Sequence, residues 1–117
     1  MNIIMLEKTN QMIMLFDFYG ELLTPRQKEI FKLYYYEDLS LGEIADIEKI
    51  SRQAVYDFLQ RGEEILSDYE QKLGLVSMFE SRKRSLIELR KILKNPLDEV
   101  SRKKCLNLLD DLLRSES

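Results

Sequence analysis

Apolar residues recur at helical spacing along almost the whole chain, and each break in that rhythm falls at a residue that starts or stops a helix. Met12, Leu15, Phe16, Tyr19, Leu22 and Leu23 form one stripe, which predicts a helix from about Glu7 to about Tyr19 with Gly20 as its break. Thr24 is a good N-cap, followed by Pro25 at the first helical position and Gln27 at the third, so a second helix is predicted over Pro25–Tyr36. That helix buries Ile30, Leu33 and part of the Tyr34–Tyr36 run. Ser40 with Glu43 fits a capping box and opens a short helix over Ser40–Asp46. A turn over Ile47–Ile50 leads to a fourth helix opening at Ser51. It runs through Ile65 and Leu66 to Leu73, where Gly74 stops it; Gly62 inside it costs about 1 kcal/mol relative to alanine. Leu75, Phe79, Leu86, Leu89 and Leu93 predict a long fifth helix, ended by Asn95-Pro96 because the residue before proline disfavours the α region. Asp98 can cap a sixth, whose apolar face is Cys105, Leu108, Leu109, Leu112 and Leu113. The expected fold is all-α: a helix-turn-helix domain with an N-terminal helix over residues 1–74, and an antiparallel helical hairpin over residues 75–117.

The third and fourth helices carry the chemistry. Leu41, Ile44 and Ala45 share one face, and Val55, Phe58 and Leu59 share one face of the next helix. Arg52, Gln53, Tyr56, Asp57, Gln60 and Arg61 are left pointing to solvent from that helix's start. A helix-turn-helix DNA reader has this arrangement, because its second helix enters the major groove end-first. Arginine can engage guanine O6 and N7 with two hydrogen bonds, and glutamine can do the same with adenine N6 and N7. Arg52, Gln53, Tyr56 and Gln60 are therefore the base-facing candidates, with Ser51 and Arg61 on the backbone. Tyr56 can stack or donate to a phosphate, or simply pack at the helix edge. Lys49 occupies a turn position that calls for positive φ, at a cost of roughly 1 kcal/mol for a non-glycine residue.

Leu23-Thr24-Pro25-Arg26-Gln27, with Glu29-Ile30, resembles the opening of sigma factor region 4, and the 24–66 block follows that region helix by helix. Four further segments, Glu7 to Met12 with Leu15 to Tyr19, Leu39 to Ile47, Ser51 to Asp57 and Asp68 to Leu73, resemble the YlxM-type family of small bacterial proteins. The genes of that family neighbour the gene of the signal recognition particle GTPase. The resemblance implies a sigma-like helix-turn-helix, a role around the signal recognition particle pathway, and no catalytic residues. Arg52 matches an arginine that sigma region 4 carries near the groove, and Gln53 a neighbouring polar position. Ala54 and Tyr56 stand where arginine is common, Asp57 is acidic where phosphates would pass, and Lys49 replaces the usual turn glycine.

Charge distribution changes this picture. The net charge of the 117 residues is −3. Residues 24–74 carry seven Lys and Arg against eleven Asp and Glu, whereas residues 75–117 carry ten against seven. Non-specific DNA binding relies on cations that neutralise phosphates, so the acidic reader is a poor generic DNA binder. The basic groups Arg82-Lys83-Arg84, Arg90-Lys91 and Arg102-Lys103-Lys104 are a second candidate surface, facing RNA or another partner, or else forming the solvated side of amphipathic helices. Only Phe79 offers an aromatic ring there, which argues against single-strand stacking.

Other chemistries are thinly supplied. With no His, imidazole-based acid–base catalysis and His-ligated metal are absent, and the single Cys105 can form neither an internal disulfide nor a thiolate cage. Cys105 is expected to be a small buried hydrophobe. Glu63-Glu64 and Asp110-Asp111 are adjacent on helix surfaces rather than facing, so no enzyme, cofactor or metal is expected. Met1–Leu6 is apolar but short and lacks a preceding basic region, unlike a secretory signal, and nothing approaches the length of a membrane span. The expected location is the cytoplasm.

Two function classes follow. The first is a non-catalytic DNA-binding regulator; the second is an adaptor that binds signal recognition particle RNA or protein without reading DNA. The long apolar stripes exceed what a small reader core can cover, which predicts a homodimer through the first, fifth and sixth helices rather than a compact six-helix monomer.

Overall fold

The computed structural model describes residues 3–115, with side chains described over residues 7–114. The helices are α1 (Ile3–Tyr19), α2 (Pro25–Tyr35), α3 (Leu41–Glu48), α4 (Arg52–Leu73), α5 (Leu75–Leu93) and α6 (Glu99–Ser115), with a 3-10 turn at Gly20–Leu22. No strand occurs among the described residues. Met1 and Asn2, at the start of the apolar segment read as lacking a secretory signal, lie outside them. The chain divides into two compact units, Met1–Val76 and Ser77–Ser117.

The first unit is built on capped helices. Thr24 Oγ1 accepts the Gln27 amide at 3.2 Å and Gln27 Oε1 accepts the Thr24 amide at 3.0 Å, a reciprocal cap that lets Gln27 be buried with both partners satisfied. Ser40 and Glu43 repeat the device at the start of α3, at 3.1 and 3.0 Å. α3 runs to Glu48, two residues beyond the expected Asp46, because Lys49 ends it in the left-handed region with φ 57° and ψ 46°. Lys49 and Ile50 both donate their amides to the Ala45 carbonyl, which closes the turn. Ser51 then caps α4 by accepting the Ala54 amide at 3.0 Å. α4 runs unbroken through Gly62 and ends at Gly74, φ 64°.

The core joins α1, α2, α3 and α4 through Leu15, Phe16, Tyr19, Ile30, Phe31, Ile44, Val55, Leu59 and Leu66, all buried. Phe16 stacks on Phe31 with centroids 4.9 Å apart, and Phe31 lies 4.5 Å from the Tyr35 ring. Phe31 was missing from the expected core of α2 but is almost fully buried. One part of the dimer expectation is corrected here. Met12, Leu15, Phe16 and Tyr19 of α1 are buried inside their own unit, so that stripe is not free to cover a second subunit.

Tyr19 also ties the unit's end together. Its hydroxyl donates to Glu70 Oε1 at 2.6 Å and accepts the Leu75 amide at 3.0 Å, while Glu70 Oε1 accepts the Val76 amide at 3.0 Å. Two of the orphan amides that open α5 are thus satisfied by side chains.

In the second unit α5 and α6 run antiparallel, joined by Lys104 Nζ to Glu88 Oε1 at 3.0 Å. Asp98 caps α6, accepting the Ser101 amide at 2.7 Å, and these backbone bonds hold its carboxyl below the usual aspartate value. Leu89 and Cys105 are buried. The expected apolar face of α6 is narrower than the sequence reading: Leu109 and Leu113 are 44% and 70% exposed. A two-helix hairpin covers one stripe per helix, and Cys105, Leu108 and Leu112 occupy it.

Candidate nucleic-acid interface

The opening turns of α4 present the predicted row. Ser51, Arg52, Gln53, Tyr56, Gln60 and Arg61 are all exposed, while Val55 and Leu59 between them are buried. Ser51 uses its oxygen as the helix cap and keeps its own proton to donate outward. The other side chains are less free than their exposure implies. The Arg52 guanidinium folds back over α3, where a Cβ on Gly42 would meet its Nε and Nη2 at 3.1 Å. Gln53 Nε2 donates to Asp57 Oδ1 at 3.0 Å, so its amide must leave that bond to read an adenine. Tyr56 and Gln60 line a cavity shared with Tyr34, Tyr35 and Glu63.

Two further residues support this face and were missed in the sequence. Arg26 Nη2 donates to the Glu48 carbonyl at 3.3 Å, at the negative end of α3, and its guanidinium lies 5.6 Å from the Phe58 ring centroid. Arg26 therefore ties α2 both to the end of α3 and to α4. Gly42 leaves the space in which Arg52 lies. The sequence named Arg26 only within the Leu23–Gln27 run that resembles sigma factor region 4, and no local signal marks a partner 22 residues away.

Acidic groups crowd the same region. Glu43, Asp46, Asp57 and Glu64 are exposed. Glu48 sits at the turn with one carboxyl oxygen buried and no hydrogen-bond donor to it among the described residues. Burial first, and then the neighbouring Glu29 carboxyl, push its ionisation above the ordinary value, against the smaller opposing pull of Arg26.

The hairpin does not gather its six candidate cations into one free surface. Lys83, Arg84 and Lys103 are exposed, but Arg102 pairs with Glu99 at 3.1 Å and Lys104 with Glu88 at 3.0 Å. Arg82 turns inward to a cavity of about 300 Å³ that Ser81, Ser85 and Asp111 also line, and its Nε is buried without a hydrogen-bond partner. Among the described residues no group of His, Cys, Asp and Glu is arranged to hold a metal ion. No helix there is long and apolar enough to cross a membrane.

The family UPF0122, described as "Putative helix-turn-helix protein, YlxM / p13 like", matches residues 6–108. The chain belongs to this family. Curated UPF0122 relatives agree: one from Exiguobacterium sibiricum is 53% identical over 87 residues, covering 74% of this chain and 82% of that protein. One from Shouchella clausii is 56% identical over 87 residues, covering 74% and 80%, and one from Listeria welshimeri is 52% identical over 97 residues, covering 81% and 88%. The UPF0122 match runs from α1 into α6, so it takes in the α3–α4 pair and most of the basic hairpin.

Proposed function

We propose that this UPF0122 protein is a non-catalytic regulator that binds duplex DNA through α4. The observation that carries this reading is the row of exposed polar side chains on the first turns of a capped helix, set behind a tight left-handed turn. Arg52, Gln53, Tyr56 and Gln60 face the bases, and Ser51 and Arg61 meet the phosphate backbone. Such contacts supply specificity, while the acidic surroundings suppress binding to unrelated DNA. Selection from genomic fragments at low salt tests the proposal: a short recurring sequence is expected among the bound fragments, and its absence would sink the reading.

Residues 1–74 then form the sigma-region-4-like reader, and residues 75–117 its assembly or partner arm. The exposed apolar residues of the arm, among them Phe79, Leu86, Leu93, Leu109 and Leu113, support a homodimer through α5 and α6. Sedimentation should give about 28 kDa, twice the 14.0 kDa chain, and a monomer at micromolar concentration would contradict it.

A second reading is favoured by one observation: Lys83, Arg84 and Lys103 are exposed on a net basic hairpin, while the reader is acidic. In it the protein is a cytoplasmic adaptor of the signal recognition particle, meeting its RNA or its protein through this arm. Co-purification after treatment with a DNA-specific nuclease separates the two readings. Particle RNA or its GTPase should be retained by the parent and lost when Arg82, Lys83 and Arg84 are neutralised; recovery of neither would remove the adaptor.

A further inference from the structure

A cavity of about 440 Å³ opens in the first unit, where α1, α2 and α4 meet the start of α3. Tyr34, Tyr35, Tyr56, Gln60, Glu63 and Lys8 supply its chemistry. We propose that this cavity receives the guanidinium of an arginine side chain presented by a basic partner protein.

Glu63 is the anchor. Its side chain is 21% exposed, and one carboxyl oxygen accepts the Tyr35 hydroxyl. Burial, and then this bond to a carboxylate, push the Tyr35 phenol above its ordinary value, so it stays protonated and keeps donating. The second oxygen, Oε2, has Lys8 Nζ at 3.9 Å, beyond hydrogen-bond length, on a side chain that is 64% exposed. A cation is thus already drawn to the site but is not seated in it. Tyr34 and Tyr56, 37% and 47% exposed, are aromatic residues of the same lining. Gln60 adds an amide oxygen that can accept from a donor beside Glu63.

This set suits a planar cation with several N–H donors. A guanidinium can donate to Glu63 Oε2 and to Gln60 while its face lies on a tyrosine ring, and it loses less hydration than an ammonium. The unit's field selects the source of the group. Residues 1–76 carry eight Lys and Arg against fourteen Asp and Glu, a field that favours a basic protein over a free nucleotide as the source of the group and that a duplex overcomes only through specific contacts along α4. The binding itself stands apart from the proposed DNA contacts. Its regulatory consequence rests on them: an occupied cavity holds Tyr56 and Gln60, so the basic partner and the duplex compete for two residues.

The test is a titration of the full chain, followed by the tyrosine ring resonances. The probes are acetyl-Gly-Arg-Gly-amide, its lysine counterpart and guanosine monophosphate. The arginine peptide should shift Tyr34, Tyr35 and Tyr56 saturably and bind more tightly than the lysine peptide. Glu63→Gln, which keeps an oxygen for the Tyr35 hydroxyl, should weaken it by about tenfold or more. Lys8→Met, a change at an exposed side chain, should tighten it severalfold by removing the competing cation. Absence of saturable shifts would overturn the proposal, as would equal binding of the two peptides or preferential binding of guanosine monophosphate. If Glu63→Gln fails to fold, an unchanged affinity in Lys8→Met overturns it instead. Failure of the chain to bind DNA would leave these outcomes unaltered, so the two proposals fail separately.

Discussion

The guanidinium of Arg52 lies against the backbone of Gly42, so close that a Cβ on Gly42 would stand 3.1 Å from its Nε and Nη2. Arg52 opens α4 and Gly42 lies in the first turn of α3, so this contact ties the two halves of the helix-turn-helix together. It also sets the position from which the arginine would move in the proposed DNA binding.

Gly42→Ala should separate folding from binding. Alanine favours the helix by about 0.5–1 kcal/mol, and the obstructing group is the far end of a flexible side chain, so thermal stability should hold or rise. The displaced Arg52 should lower affinity for a selected duplex severalfold. Unchanged affinity would mean that the observed pose of Arg52 is irrelevant to binding.

Lys49 holds a left-handed conformation that only glycine adopts without cost. Lys49→Gly should raise stability by about 1 kcal/mol in urea denaturation. Lys49→Val should lower it, since a β-branched side chain fits that region worst. A gain in both variants would show that the turn relaxes to another geometry.

Tyr19→Phe removes the hydroxyl that Glu70 and the Leu75 amide share. Tyr19 is 1% exposed, and water cannot take the hydroxyl's place without repacking. A loss of about 1–3 kcal/mol is expected in denaturant unfolding, with helix content in the folded state unchanged.

Glu48 gives a pH-dependent case whose sign can be worked out. Its ionisation is raised in the folded protein above the ordinary 4.5, mainly by burial and then by Glu29. A raised carboxyl contributes stability below its unfolded value and loses it as pH rises through the folded value. Glu48→Gln removes that loss. The variant should therefore be the more stable protein at pH 7, and its advantage should shrink as the pH falls toward 4. A constant advantage at both pH values would show that repacking, not ionisation, is responsible.

Local chemistry was the legible part of this fold. Thr24 with Gln27, Ser40 with Glu43, the left-handed Lys49, the Gly74 stop and the Asp98 cap each rest on residues within a few positions of one another, where spacing fixes geometry. The row Arg52, Gln53, Tyr56, Gln60 and Arg61 was legible for the same reason, since helical period decides which side faces out. What that row touches was not, nor were the other side-chain contacts between helices. Arg52 against Gly42, Tyr35 with Glu63, and Arg26 over Phe58 each join different helices, and no sequence spacing encodes them. The breadth of the α6 face was overread because a stripe of leucines looks the same whether or not a neighbour is there to cover it.

Direct titration of an enriched duplex with the parent chain and with Arg52→Ala is the measurement nearest the central claim. One bidentate arginine–guanine pair contributes about 1–3 kcal/mol of discrimination, so the variant should bind the selected site roughly 5–150-fold more weakly. It should also lose preference at one base position while its weak binding to unrelated duplex changes little. Equal affinity of the two proteins for the selected site would contradict the account, as would the failure of any sequence to be enriched at low salt.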